Sequence, residues 1–266
     1  MPLKGNARHL YETCPLCENP NHRPAGKADC SSHPLYNSLL PSTITWQKCD
    51  ACGHIFTDGY FTAEALNILF SGAHNDQLPN PEHVERDRAL AAVIVDKVSS
   101  CLEQQEGKWL DIGFGNGALM TTCGEYGFEP VGIDLRHEPV QRMKQFGYEA
   151  HCMGLIDFKA HDGFSVISMA DVLEHMPYPK RALSHAHELL KPGGVLFVSC
   201  PNTDSFLWAL LTQQKMNPYW MELEHYHNFG RKRLYSLLCD HGFRPVKYSV
   251  SQRYRIGMEV LALKPV

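Results

Sequence analysis

Three glycines at alternate positions follow an apolar run that ends in an acid. The stretch "KWLDIGFGNGALM" places Asp111 ahead of Gly113, Gly115 and Gly117. Glycine has no Cβ, so it permits positive φ and lets a ligand lie against the main chain. The apolar run is typical of a buried strand, and the residues behind the glycines are typical of a helix whose first N–H groups can bind an anion. We therefore predict a strand-to-helix turn that holds a ligand.

Further acids follow the next two predicted strands. Asp134 closes the second strand, 17 residues after the last of these glycines, where a carboxylate suits the two hydroxyls of a ribose. Asp157 follows the third strand beside Leu155 and Ile156, a combination that suits a purine. Asp111, inside the end of the first strand, would attract a cationic ligand. The glycine pattern also matches the loose dinucleotide fingerprint, so a nicotinamide cofactor stays open on these residues alone.

Strand patterns alternate with helix patterns over most of the chain. An amphipathic helix pattern at 84–102 precedes the glycine turn, and "KPGG" at 191–194 separates a helix pattern from a strand at 195–202. Such alternation is typical of a mostly parallel sheet with helices on both faces. Two strand patterns in succession, at 244–250 and 255–265, predict an antiparallel pair that closes the sheet. We therefore predict a doubly wound α/β fold with a seven-stranded, mostly parallel sheet.

Four of the ten cysteines form two Cys-x-x-Cys pairs near the N-terminus. Each pair can aim two thiolates at one point, and four thiolates make a closed tetrahedral zinc site that stabilises a fold. We predict a structural Zn²⁺ ion bound by Cys14, Cys17, Cys49 and Cys52. The 31 residues between the pairs exceed the usual interval. Redox chemistry therefore stays open, as does a ligand set that includes one of Cys30, His22 and His33.

Composition and charge exclude several classes of protein. A net charge of -4 provides no basic field for nucleic acid or an anionic membrane. No run approaches 18 apolar residues, and the N-terminus lacks the apolar centre of a signal peptide, so we expect a cytoplasmic protein without a membrane span. The polar seam "GAHNDQLPNPEH" predicts two domains: residues 1–75, a small cysteine-bearing domain with its linker, and residues 76–266.

Five stretches together resemble the class I S-adenosylmethionine-dependent methyltransferases. In order they are "LDIGFGNG", "VGID", "GLIDF", "ADVLEHMPYP" and "LLKPGGVLFVS", and the resemblance covers roughly residues 84–264. The ordered set is far more specific than any one stretch. It implies a Rossmann-like methyltransferase core with S-adenosylmethionine as cofactor, and the cysteine pairs ahead of it resemble a fused zinc ribbon.

The resemblance implies a role for each matching residue. The methionine part of the cofactor would lie against Asp111 and the three glycines, and Asp134 would bind the ribose hydroxyls. Leu135 would contact the adenine, and Asp157 would meet its amino group. The residues expected under the sulfonium are Ala170, Asp171 and Leu173.

Histidines are the candidates for acid–base chemistry. Methyl transfer to a hydroxyl requires a base, and histidine titrates near neutral pH. His175, just past the fourth strand pattern of the core, is the first candidate; the alternative is a loop histidine that bonds the backbone or frames the pocket. The segment 216–229 adds His225 and His227 among aromatic residues, where we expect either an acceptor-binding loop or a capped helix start with packed aromatics.

These observations predict methyl transfer from S-adenosylmethionine to a small-molecule acceptor. The cysteine region "KCDACGHIFTDGYFT" resembles that of relatives many of which modify sugars, lipids or other small metabolites, and an O-methylated sugar, lipid or secondary metabolite is favoured. Ribosomal RNA is a weaker alternative, because residues 1–66 hold five Lys and Arg against six Asp and Glu. A non-catalytic scaffold that binds S-adenosylmethionine and zinc is the other alternative. The apolar side chains of "SFLWALLTQQ" predict a lid or a homodimer face.

Overall fold

The computed structural model describes residues 4–71, 78–254 and 256–266. The predicted boundary between residues 75 and 76 lies outside the described residues, so the division into 1–75 and 76–266 stays a prediction. The chain forms two compact units. The first consists of Met1–His74, Glu174–Lys180 and Pro201–Tyr235, and the second of Asn75–Leu173, Arg181–Cys200 and Ser236–Val266.

The described residues form thirteen strands and seven α-helices. In chain order the first elements are β1 (Arg8–Leu10), β2 (His22–Asp29), β3 (Thr43–Cys49), β4 (Ile55–Thr57), β5 (Gly59–Phe61), α1 (Ala63–Ser71) and α2 (Pro81–Ser99). The central elements are β6 (Gly107–Ile112), α3 (Ala118–Glu125), β7 (Phe128–Asp134), α4 (His137–Gln145), β8 (Glu149–Cys152), β9 (Phe164–Ala170) and α5 (Pro179–Leu189). The last elements are β10 (Leu190–Pro201), α6 (Phe206–Gln213), β11 (His227–Asn228), α7 (Arg231–Asp240), β12 (Arg244–Val250) and β13 (Gly257–Leu263).

The second unit contains a seven-stranded sheet in the order β12-β13-β10-β9-β6-β7-β8. Strands β6 to β10 pair in parallel, and β12 pairs with β13 in antiparallel fashion. This confirms the predicted doubly wound sheet and its closing pair. The strand order reverses between β6 and β9, and in open α/β sheets a ligand binds outside the carboxyl ends of the strands at such a switch point.

Burial on both faces of β6 explains its apolar sequence. Trp109 and Leu110 point to opposite faces and are both fully buried. The helix before the strand, α2, starts with Pro81 after Asn80, whose side chain accepts a hydrogen bond from the N–H of His83. It ends at Ser99, short of the predicted residue 102. The buried strand β6 therefore leads into the glycine turn from a fixed position in the sheet.

Strand β10 starts earlier than the sequence predicted. The expected start was Val195, but the strand begins at Leu190 and carries a register shift between these two residues. Gly193, with φ of +76°, donates to the carbonyl of Lys264 at 2.8 Å, and the N–H of Lys264 donates to the carbonyl of Gly194 at 2.9 Å. These bonds to the chain end make the "KPGG" segment a bulge of the strand.

The first unit contains a four-stranded sheet in the order β11-β4-β3-β2 and a separate β1-β5 pair. All four strands of the larger sheet pair in antiparallel fashion. Its core is built around the fully buried side chains of Trp46 and Tyr226. The sequence did not predict that β11, from residues 227 and 228, would extend the sheet of the N-terminal cysteine region. In the described residues, no helix is both long and apolar enough for a bilayer crossing.

A buried ion pair in the second unit gives a test of this packing. Nζ of Lys97 on α2 lies 2.6 Å from Oε2 of Glu259 on β13, and the side chain of Glu259 is 4% exposed. We expect Lys97→Met to lower the free energy of unfolding by about 3–5 kcal/mol, because it leaves a carboxylate buried without its cation. Urea denaturation followed by circular dichroism measures this change.

The matched control removes both charges. The double variant Lys97→Met/Glu259→Leu is expected to recover most of the loss, because no unpaired charge stays buried. A single variant as stable as wild type would show that the pair contributes little to the attachment of α2.

Candidate cofactor site, cysteine cluster and histidine cluster

The glycine turn between β6 and α3 adopts the left-handed backbone that the sequence predicted. Gly113, Gly115 and Gly117 have φ of +64°, +59° and +80°. A Cβ on Gly113 would lie 2.8 Å from Cγ2 of Val172, and one on Gly117 would lie 2.5 Å from Sδ of Met143. Gly117 itself provides no side chain to cap α3, and Oδ1 of Asn116 accepts from the N–H of Ala118 at 3.0 Å. The turn therefore presents bare main chain at the switch point of the sheet, as a ligand cradle requires.

Asp111, near the end of β6, is a buried carboxyl group just ahead of this turn. Oγ of Ser168 donates to Oδ1 of Asp111 at 2.6 Å, and Nε1 of Trp109 donates to Oγ of Ser168 at 2.9 Å. Burial raises the pKa of Asp111 to about 7, against the opposing hydrogen bond from Ser168 and with a smaller contribution from the charge of Asp134. A cation brought near this carboxyl would favour its ionised form. Sequence reasoning missed Ser168, a polar residue inside an otherwise apolar strand.

Asp134 ends β7 and is paired with a residue that the sequence did not single out. Nε of Arg136 lies 3.0 Å from Oδ1 of Asp134, and Nη2 lies 2.8 Å from Oδ2. The backbone N–H of Arg136 also donates to Oδ1 at 2.9 Å. A carboxylate has about four acceptor positions, and the three bonds from Arg136 leave about one of them for a ribose hydroxyl. The pair holds the acid in place at the carboxyl end of its strand.

Apolar side chains lie open beside this acid. Leu135 is 60% exposed and Ile156 is 42% exposed. Asp157 follows Ile156 in a short 3-10 helix, Leu155–Asp157. The N–H of Met153 donates to the carbonyl of Asp134 at 3.1 Å and so ties the two strand ends together. Exposed aliphatic surface next to a carboxylate can accept the face and the amino edge of a purine.

Asp171, directly after β9, has a strained backbone. Its φ is +56°, which costs a non-glycine residue about 1–3 kcal/mol. Its N–H donates to Oγ of Ser199 at 3.0 Å, and the same hydroxyl donates to Oδ1 of Asp171 at 3.0 Å. Ala170 is the last residue of β9, and the side chain of Leu173 is fully buried. Strain held in this way is common at functional sites, and here it lies beside the switch point.

The four predicted zinc ligands come together in the first unit. The Sγ atoms of Cys14, Cys17, Cys49 and Cys52 all lie within 4.8 Å of one another. Cys14 and Cys52 are 3.7 Å apart, and Cys17 and Cys49 are 3.4 Å apart. The thiol of Cys14 lowers the pKa of Cys52, and the same contact raises that of Cys14. Four thiols at this separation fit a tetrahedral metal site, and the fit excludes Cys30, His22 and His33 from this cluster.

The two cysteine turns share one backbone geometry. The N–H of Glu18 donates to the carbonyl of Cys14 at 2.9 Å, and the N–H of Gly53 donates to the carbonyl of Cys49 at 3.0 Å. In both turns the residue after the second cysteine is left-handed, with φ of +60° at Glu18 and +71° at Gly53. The repeated turn presents each cysteine pair to the common centre.

Two of the predicted catalytic histidines meet in the first unit. The ring centroids of His175 and His225 are 4.7 Å apart at an interplanar angle of 86°. Nδ1 of His175 lies 3.0 Å from the carbonyl oxygen of Glu224, so it carries the proton and donates. Glu174, which the sequence reasoning passed over although it adjoins His175, joins them with a side chain that is 1% exposed.

His227 lies in a different arrangement. Its Nε2 lies 2.9 Å from the carbonyl oxygen of Met176 and its Nδ1 lies 3.0 Å from Nε2 of His54. Because the carbonyl only accepts, Nε2 of His227 donates to it and Nδ1 accepts from His54. Burial lowers the pKa of His227 to about 3, so the ring is neutral. Both nitrogens are engaged, and a catalytic role of His227 stays a prediction.

Comparison with known proteins gives the family. The model of the methyltransferase domain family matches residues 84–248, which is more than half of the chain. The chain belongs to this family, and the core of its second unit has the fold of the S-adenosylmethionine-dependent methyltransferases.

Individual relatives are distant. A ubiquinone biosynthesis O-methyltransferase from Xanthomonas oryzae pv. oryzae is 30% identical over 132 residues, which are 46% of this chain and 54% of the relative. The chain thus spans about half the length of the first curated relatives that it matches.

Two solved structures share the fold. One is the 1,6-didemethyltoxoflavin-N1-methyltransferase of Burkholderia thailandensis, solved with 1,6-didemethyltoxoflavin and S-adenosylhomocysteine. It is 18% identical with a TM-score of 0.59, over 83% of this chain and 99% of that chain. The other is the magnesium protoporphyrin IX methyltransferase of Synechocystis PCC 6803 with bound S-adenosylhomocysteine. It is 17% identical with a TM-score of 0.51, over 68% of this chain and 84% of that chain.

The raised pKa of Asp111 makes the stability of the free protein depend on pH. The folded protein binds this proton more tightly than the unfolded chain, in which an aspartate has a pKa of about 4. We therefore expect the free energy of unfolding to fall as pH rises from about 4 to about 7. Asp111→Asn should flatten this dependence, as measured by urea denaturation at pH 5 and pH 7.5.

Asp162→Asn serves as the control. The side chain of Asp162 is 75% exposed and pairs only at the surface with Lys108, so its removal should leave the dependence as in wild type. Equal slopes for wild type and Asp111→Asn would contradict the buried, protonated carboxyl described here.

Proposed function

We propose that this protein transfers a methyl group from S-adenosylmethionine to an oxygen atom of a small molecule. One observation supports this most: the left-handed glycine turn, directly behind the buried Asp111 of β6, lies at the switch point of a methyltransferase-type sheet. The family match and the S-adenosylhomocysteine bound to two proteins of the same fold support the choice of cofactor. The O-methyltransferase name of the curated relatives supports an oxygen acceptor.

The residues of the second unit would hold the cofactor by its separate parts. Asp111 would attract the cationic amino acid part, and N–H groups in the first turn of α3 would face its carboxylate. Asp134, fixed by Arg136, would accept from a ribose hydroxyl. Leu135 and Asp157 would meet the adenine face and its amino group. When bound, S-adenosylmethionine supplies a methyl carbon on a good leaving group, so the protein mainly aligns the reactants and excludes water.

We propose that His175 is the base that accepts the proton of the acceptor hydroxyl. Its Nδ1 donates to the carbonyl of Glu224, which leaves the lone pair of Nε2 available. The predicted alternative role of His175 was a loop histidine that bonds the backbone, and the bond to Glu224 is such a contact. This contact is compatible with a role as base, because a histidine held by one ring nitrogen presents the other in a fixed direction.

A structural Zn²⁺ ion at the cysteine cluster is the second part of the proposal. The close Sγ atoms and the two matching turns support four cysteine ligands and no open position. The ion would stabilise the first unit, whose strands β4, β5 and β11 are only two or three residues long. The cytoplasmic location and the homodimer face stay predictions.

Cofactor binding is tested with a matched pair of glycine variants. We expect calorimetry to detect binding of S-adenosylmethionine and S-adenosylhomocysteine to wild type. Gly115→Arg should weaken it more than about 100-fold, or about 2.7 kcal/mol, because the side chain fills the cradle.

The control is Gly127→Arg. Gly127 also has a positive φ, +94°, and a Cβ there would meet no atom within 4 Å, so the two variants share the backbone strain but not the position. Wild-type affinity in Gly115→Arg, or no heat from either compound with wild type, would contradict the proposed site.

The acceptor class is tested with methyl-labelled S-adenosylmethionine and a cell extract. We expect the label on the oxygen of a small molecule. Label on RNA would contradict the acceptor class, and binding without turnover would support the scaffold alternative instead of an enzyme.

The zinc proposal is tested by metal analysis. We expect about one zinc per chain in wild type. Cys49→Ser should lose it and destabilise the first unit, because Cys49 is a buried ligand of the cluster. Cys239→Ser, at an exposed cysteine outside the cluster, should keep it. Absence of zinc from wild type purified without chelator would contradict the proposal.

A further inference from the structure

A second group of metal-donor side chains lies in the first unit, apart from the cysteines. The group consists of Glu174, His175 and His225. Each offers one ligand atom, and the three atoms lie within 4.8 Å of one another. Glu174 and His225 are buried, and His175 is half-buried. A buried carboxylate beside two imidazoles is a donor set that divalent transition metals accept.

Backbone hydrogen bonds hold the two chain segments that carry these donors. Glu174 and His175 end a short 3-10 helix, Leu173–His175. The N–H of Tyr226 donates to the carbonyl of Glu174 at 2.8 Å, and Nδ1 of His175 donates to the carbonyl of Glu224 at 3.0 Å. The residues on both sides of His225 thus bond directly to the segment that provides the other two donors. These bonds hold the two backbone segments side by side and so bring their donor side chains together.

The bond from His175 also fixes its tautomer. Because Nδ1 donates to a backbone carbonyl, Nε2 carries a lone pair. Histidines that bind metals usually donate their other ring N–H to a carbonyl or a carboxylate, which orients the ring and raises its basicity. The contact of His175 with the carbonyl of Glu224 is of this kind.

His225 provides a buried imidazole. Its Nδ1 is buried and has no hydrogen-bond partner among the described residues. A buried polar atom without a partner destabilises the folded protein, and a metal ion in contact with the ring would offset such a cost.

We propose that Glu174, His175 and His225 bind one divalent transition-metal ion of the zinc type. Imidazole nitrogens favour Zn²⁺, Co²⁺ or Fe²⁺ over Mg²⁺ and Ca²⁺, which prefer oxygen ligands. Three protein ligands leave a coordination position open, in contrast to the closed cysteine site.

The open position would take the oxygen of a water molecule or a hydroxyl group. A metal ion lowers the pKa of such a group, to about 7 for water on zinc in favourable sites. Activation of an acceptor hydroxyl in this way rests on the proposed function, and His175 would then act as a metal ligand instead of the base. Binding of the ion itself does not rest on it.

Cobalt(II) titration of the full-length protein, loaded with one equivalent of zinc per chain for the cysteine cluster, tests the proposal. We expect one equivalent of Co²⁺ to bind and to give d–d absorption without thiolate charge-transfer bands. Glu174→Gln and His225→Gln should each weaken this binding by more than about 100-fold, since loss of even an outer-shell partner of a metal ligand costs about 10–100-fold. His9→Gln, at an exposed imidazole of the same unit, should bind Co²⁺ as wild type does.

Each outcome decides the proposal. No stoichiometric binding, wild-type affinity in both ligand variants, or thiolate charge-transfer bands from Co²⁺ at the cysteines would overturn it. Zinc content and circular dichroism report whether the variants are folded. Glu174→Gln preserves the shape of the side chain and decides the question if His225→Gln does not fold. Co²⁺ binding without methyl transfer would contradict the proposed function and leave the metal site standing.

Discussion

The left-handed turn between β6 and α3 is the constraint on which the cofactor site depends. Gly113 donates its N–H to the carbonyl of Ile133 at 2.7 Å, and added Cβ atoms on Gly113 and Gly117 would meet Val172 and Met143. The turn is therefore held by the neighbouring strand β7, by the loop after β9 and by α4. Any change that shifts one of these elements therefore alters the conformation of the glycine turn, where the glycines carry no side chains. The sheet order matters for function because it brings these three supports to one point.

Closely placed acidic groups recur at the three sites described here. Burial raises the pKa of Asp111 to about 7, four cysteine thiols converge within 4.8 Å, and the buried Glu174 lies beside two histidines. Concentrating acidic groups away from water is costly, and each arrangement becomes favourable when a cation arrives. The proposed cations differ in kind: a charged organic cofactor at Asp111, a structural Zn²⁺ ion at the thiols and a second metal ion at Glu174. Donor chemistry separates them, since thiolates, a lone carboxylate and mixed imidazole donors select different partners.

Much of the fold could be predicted because its signals are local. The apolar strand of residues 107–112, the glycines behind it and the Cys-x-x-Cys spacing each report their own conformation, and the structure confirms the sheet and the cysteine cluster. The partners of the site residues could not be predicted, because they come from distant parts of the sequence. Ser168 reaches Asp111 across a strand pair, and Glu174 meets His225 from about fifty residues away. Strand β11 has only two residues, too few for any periodicity, and the early start of β10 depends on bonds to Lys264.

The pairing of β11 with β4 bears on how the protein is made. Asn228 lies opposite Ile55, so the sheet of the first unit joins stretches about 170 residues apart in the chain. During synthesis the N-terminal stretch must wait until the ribosome has produced most of the polypeptide before this sheet can close. Pairings so remote along the chain are slow to form, and strand edges that wait for a partner are prone to aggregation. Early binding of a metal ion by the cysteines would protect the N-terminal stretch during that interval. Because the first unit is built from three separate stretches of the chain, it cannot be removed or exchanged as one continuous segment.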